Sequence, residues 1–158
     1  MLKENLMTNM TPMLGGAIIR EYLGREAGDY MTRWHLTPWK WWPFKKRLYL
    51  HVYQHHDNDP VPHDHPFGFR SIILLGGYTE REYFYETQPD GTVEVLYHPV
   101  TKQEFRDTRR RPFRSFKVPA GHAHRITKLH GRWTVTLLIR GPKEQDWGFF
   151  VHTVEKGV

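Results

Sequence analysis

The stretch HDHPFGFRSIILLGG, residues 63–77, sets two histidines against an apolar strand that closes on a double glycine. In extended backbone, residues i and i+2 project to the same side, so His63 and His65 present two imidazoles together while Asp64 turns away. Ser71 to Leu75 is apolar on both faces, which predicts a strand running through the middle of the domain. A second pair with the same spacing follows in PAGHAH, residues 119–124, at the start of another predicted strand. Three or four neutral imidazoles converging inside a small barrel are a way to hold iron(II), zinc, copper or nickel.

Outward from this stretch the chain reads as short strands divided by turns. The runs are 47–55, 70–76, 78–86, 92–98, 114–118, 124–129, 132–140 and 147–152. Turn chemistry lies between them in Gly76-Gly77, Pro89-Asp90-Gly91, Pro119-Ala120-Gly121, His130-Gly131 and Gly141-Pro142. Eight runs suffice for a jelly roll, so the pattern predicts an all-β sandwich or barrel. In the run 132–140, Trp133, Val135, Leu137 and Ile139 share one face, which is the expected core face. Residues 1–46 differ in texture and are expected to form an arm across the barrel, with a short helix over Ala17–Leu23 and packing tryptophans between Trp34 and Phe44.

With 158 residues the chain is expected to be one domain, an arm over 1–46 and a barrel over 47–152. It has no cysteine, which excludes disulfides, iron-sulfur clusters, thiolate zinc sites and cysteine nucleophiles. Any metal must therefore bind through nitrogen and oxygen. The net charge of +6 permits an anionic substrate. No apolar run has the length of a signal peptide or a membrane span, so the expectation is a soluble cytoplasmic protein with no membrane partner. Neither a P-loop, GxGxxG, GxSxG nor HExxH occurs.

The two histidine segments resemble the two motifs of the cupin superfamily. Its first motif is HxH, three or four residues, Glu, six residues, Gly; His63, His65 and Gly77 match it, and Arg70 stands where the glutamate would be. Its second motif, P-x-G-x-x-H, is met by Pro119, Gly121 and His124. The resemblance spans roughly residues 47–152. It implies a double-stranded β-helix, or jelly-roll, cupin barrel with His63, His65 and His124 as metal ligands and His122 as their neighbour.

Arginine does not coordinate metal, so the resemblance narrows to the three-histidine sites of the cysteine and thiol dioxygenases, which bind ferrous iron. One divalent ion is implied, Fe2+ ahead of Zn2+, Ni2+ or Mn2+. The serine, histidine and tyrosine that those enzymes carry on the later strand would fall on Thr136, Leu138 and Arg140, so two of the three are replaced by residues of other chemistry. The words HDHP, GGYxE, HR, WT and WGF also resemble small bacterial and phage cupin proteins.

Other residues complete the expected site. Glu80 is a candidate fourth ligand or proton acceptor, Arg70 a partner for a substrate carboxylate or phosphate, and His51 a pocket residue. Arg106 to Lys117, RDTRRRPFRSFK, fits either a nucleic-acid surface or, with more weight, a solvated edge strand blunted by charge. The leading reading is an iron(II) dioxygenase-type oxidoreductase acting on a small, anionic substrate. A non-catalytic cupin that binds a small ligand, a protein or nucleic acid is the alternative, and a homodimer is expected from the resemblance alone.

Overall fold

Alternation decides which side of each strand faces inward, and the inward sides of two sheets meet around a core that mixes aliphatic, aromatic and polar side chains. The structure is a computed structural model that describes residues 9–13, 18–23, 30–37, 47–57, 62–87, 93–95 and 104–146. Among these residues there is no helix. The strands are β1 (Asn9–Met13), β2 (Ile18–Leu23), β3 (Met31–His35), β4 (Arg47–Tyr53), β5 (Phe69–Leu75) and β6 (Tyr78–Tyr83). They continue with β7 (Tyr85–Thr87), β8 (Val93–Val95), β9 (Phe105–Arg110), β10 (Ser115–Val118), β11 (His124–Leu129) and β12 (Thr134–Arg140).

One sheet has the order β1-β2-β3-β4-β12-β5-β10, a second the order β11-β6-β9, and β7 pairs with β8. Every pairing is antiparallel. Met31, Tyr53 and Ile73 of the large sheet pack against Tyr78 and Ile126 of the small one, with Ile73 wholly buried. A second cluster of Tyr49, Phe69, Val118 and Leu138 lies beside it, and Phe116 packs against both. The architecture is the all-β jelly-roll barrel that the resemblance implied.

Two expectations are corrected. Ile18–Leu23 is a strand between β1 and β3, not a helix, because its neighbours offer backbone partners that a lone short helix lacks. The N-terminal arm thus widens the large sheet. On β12 the buried side is Thr134, Thr136 and Leu138, whereas Trp133 on the expected core side is 48% exposed. Hydrophobicity chose the wrong face because this barrel has a polar interior. Thr134 Oγ1 accepts from Gly77 N–H at 3.1 Å and donates to its carbonyl at 2.8 Å, so a buried hydroxyl is satisfied there. The expected run 147–152, part of the run 92–98 and three of the tryptophans in the arm lie outside the described residues.

The double glycine is a conformational necessity. Gly76 has φ +74°, and a Cβ on it would lie 2.3 Å from the Trp133 carbonyl oxygen; Gly77 has φ +146° with its Cβ position 2.6 Å from the Arg110 carbonyl. Gly76→Ala should therefore destabilise the chain by more than the ~1–2 kcal/mol that a left-handed alanine costs alone. Thermal denaturation of the variant checks this, and an unchanged midpoint would contradict the turn.

Candidate metal centre

The two motif segments meet through their backbones before their side chains do. His63 N–H donates to the His124 carbonyl at 3.1 Å and His124 N–H to the His63 carbonyl at 2.9 Å, an isolated antiparallel bridge. Gly121 N–H donates to the His65 carbonyl at 3.1 Å. At Gly121, φ +74° favours glycine, and a Cβ there would lie 2.9 Å from Gln145 Oε1 and press on that side chain. Asp64, turned away from the imidazoles as expected, accepts from Gln145 Nε2 at 2.7 Å. The 142–146 segment thereby latches the HDHP loop.

The result is a cluster of His63, His65 and His124 whose ligand nitrogens all lie within 4.8 Å of one another. His65 Nε2 and His124 Nε2 are 2.9 Å apart. Behind His124, its Nδ1–H is bonded to Glu80 Oε1, which turns Nε2 toward the cluster. Glu80 is 0% exposed, and its other oxygen accepts from Arg110 Nε at 2.6 Å. Arg110 also donates to Glu82 Oε1 at 2.9 Å and lies over the Phe116 ring at 4.0 Å. Both Glu80 oxygens are thus engaged, and the carboxylate orients the His124 ring.

The electrostatics suit this arrangement. Burial, reinforced by His124, pushes the His63 pKa down to about 4 and holds His65 well below the usual histidine range, so both are neutral at pH 7. On His124 burial also opposes charge, yet the Glu80 carboxylate outweighs it and raises the pKa. Burial would raise Glu80, but its bonds to His124 and Arg110 hold it below the ordinary carboxylate value. Two neutral imidazoles and a third backed by a carboxylate form a donor set that fits one divalent metal ion.

The remaining expected residues are placed as follows. Arg70 is exposed on β5, on the opposite side from Phe69 and Ser71, and donates to Ser115 Oγ at 3.1 Å, so it faces away from the histidines. Strand alternation at that position requires it. His122 lies 3.5 Å from Glu82 Oε1 and outside the three-histidine group. His55 and His56 are exposed. His51 is buried on the inner side of β4; its Nε2 accepts from Arg33 Nε at 3.1 Å, and its Nδ1 is 3.2 Å from Tyr53 OH. Burial, with Arg33 alongside, holds its pKa well below the usual value.

Sequence reasoning missed three arginines. Arg33 continues from His51 to Glu21 Oε2 at 3.3 Å, and Glu21 is also 3.0 Å from His35 Nε2. Arg140 donates to Tyr49 OH at 3.3 Å and lies 4.2 Å over the Phe67 ring, which stacks on His65. Arg110, inside the basic run, turns inward to Glu80. The period-2 count along β9 from Glu80's partner Thr108 would have pointed to Arg110, whereas nothing local to Arg33 marks it.

No family model matches the chain, and no curated protein matches it significantly in sequence. Among solved structures it is similar to the capsular polysaccharide assembling protein CapF from Staphylococcus aureus, with TM-score 0.55 and 11% identity over 95% of this chain and 33% of that one. It is also similar to the polyketide cyclase RemF from Streptomyces resistomycificus, with TM-score 0.50 and 18% identity over 85% and 81% of the two chains. An oxalate oxidase aligns at TM-score 0.43 and 12% identity, over 66% of this chain and 46% of that one. The chain thus spans less than half the length of the oxalate oxidase and a third of CapF. At these identities the likeness is one of fold alone, the all-β jelly-roll barrel described above.

Proposed function

We propose that this cupin barrel is an iron(II)-dependent oxidoreductase of dioxygenase type acting on a small anionic substrate. The observation that carries the reading is the donor set itself: His63, His65 and His124 converge with no carboxylate among them, while Glu80 is held behind His124. Iron(II) held by three neutral ligands would keep its full +2 charge and about three open positions for O2 and a bidentate anion. This chain's residues supply the rest. Neutral His63 and His65 offer lone pairs at neutral pH, and Glu80 keeps the His124 Nδ1 proton in place. Arg140, whose hydrogen bonds go to the neutral acceptors Tyr49 OH and Gly141 O, is positioned to meet a carboxylate or phosphate. Phe67 lies between Arg140 and His65, with its ring 4.2 Å from the Arg140 guanidinium and stacked on His65.

The test is substrate-dependent O2 uptake by iron-loaded protein across small thiols, 2-oxo acids and hydroxy acids. Arg140→Gln should raise KM about 10-fold or more for an anionic substrate, the scale of a lost charge-assisted hydrogen bond, with less effect on kcat. No uptake with any anion by protein that holds iron would remove the oxidoreductase reading. The buried Leu138 stands where the resemblance places a catalytic histidine, which favours a non-catalytic ligand-binding barrel as the second reading. In that case ligand affinity should survive His124→Ala.

A further inference from the structure

Among the described residues five large apolar side chains are exposed, and all but Met13 lie at one end of the barrel. Phe113 is 85% exposed, Leu75 57%, Trp133 48% and Leu74 40%. They belong to three connections tied to each other: Phe113 N–H donates to the Ile73 carbonyl at 2.8 Å, Leu75 pairs with Val135, and His130 N–H donates to the Gly77 carbonyl at 2.8 Å. Around them stand the exposed Arg109, Arg111, Arg114, Lys128 and Arg132, the last over the Trp133 ring at 5.0 Å. Residues 66–79 and 108–143 contain no Asp or Glu at all. The nearest acid along β9, Asp107, is held bidentately by Arg81 at 2.7 and 2.8 Å.

Phe113 is the telling residue. It has φ +59°, the one non-glycine residue with positive φ among the described residues. A bulky side chain in the left-handed region is strained, and a glycine or asparagine would make the same turn more easily. Since Phe113 is also exposed, it gains no burial in exchange. Strain of this kind marks a residue kept for what it does outside the fold.

We propose that this end of the barrel docks on an anionic phospholipid surface. Phe113, Leu74 and Leu75 enter the acyl boundary, Trp133 lies at the headgroup level, and the surrounding arginines and lysine meet lipid phosphates. The absence of a spanning helix among the described residues concerns crossing a bilayer, not resting on one. Aliphatic leucines beside the aromatics favour hydrocarbon over nucleobases, which gain from stacking surfaces and not from leucine. A second copy of this end would bring like charges together, so self-association through it is disfavoured.

The experiment is vesicle co-sedimentation of the full chain with phosphatidylcholine alone and with phosphatidylglycerol mixed in, at low and high salt. Binding should require phosphatidylglycerol and weaken with salt. Phe113→Gly should reduce affinity about 10- to 100-fold while thermal stability is kept or raised, which separates docking from misfolding. The triple change of Arg109, Arg111 and Arg114 to Gln should weaken binding about 100-fold. Failure to bind anionic vesicles, or binding that Phe113→Gly leaves unchanged, would overturn the proposal. So would tighter binding, lost in the same variants, to a labelled single-stranded oligonucleotide or to an acidic polypeptide.

Discussion

Replacing Glu80 by alanine should damage stability and metal affinity together. The side chain is wholly buried, and its removal leaves the Arg110 guanidinium and the His124 Nδ1–H without their shared acceptor. Breaking one side of such a buried pair typically costs about 3–5 kcal/mol, because the partner's charge stays desolvated. Losing the group that fixes a ligand imidazole lowers metal affinity about 10- to 100-fold. Chemical denaturation and a metal titration on the same preparation measure both effects. Glu80→Gln, which keeps one acceptor and the shape, should fall between the variant and the parent. If Glu80→Ala bound metal as tightly as the parent, Glu80 would not be orienting His124.

Ile73→Ala should give a loss of similar size with a different signature. Ile73 is 0% exposed and packs with Met31, Tyr53, Tyr78 and Ile126 where the two sheets close on each other. Removing its outer carbons opens a cavity that the surrounding rings cannot fill, at ~2–5 kcal/mol. The cluster that Ile73 belongs to contains none of the three histidines, so metal stoichiometry should stay unchanged below the lowered unfolding midpoint. A variant as stable as the parent would mean that the sheets do not close around this residue.

What was legible from the sequence follows from what is local. The HxH pair, the double glycine and the PAGHAH turn are short-range patterns, so the strand after His65 and the turn at Gly76-Gly77 could be read directly, whereas the choice of His124 over His122 came from the resemblance and not from spacing. Faces were harder. Trp133, Val135, Leu137 and Ile139 look like a core stripe, but a barrel that encloses a polar site buries Thr134 and Thr136 instead. Arg70 was read by its motif position, whereas alternation on β5 sends it outward. The partnerships of Arg33, Arg110 and Arg140 depend on sheet register between residues far apart in sequence. The β2 strand has the same origin, since short apolar segments become strands when neighbours present open edges. Of the basic run, β9 and β10 each stand last in their sheet among the described residues, in line with an edge blunted by charge.

His63, His65 and His124 are expected to hold one divalent metal ion together. Elemental analysis of untagged protein, purified without added metal or chelator and then reconstituted with iron(II), addresses it most directly beside His63→Ala and His124→Ala. About one iron per chain is expected in the parent and its loss in both variants, with circular dichroism showing the folded barrel in each, as when a ligand of a three-histidine site is removed. Metal retained at full stoichiometry in both variants, or no metal bound by the folded parent even after reconstitution, would contradict it.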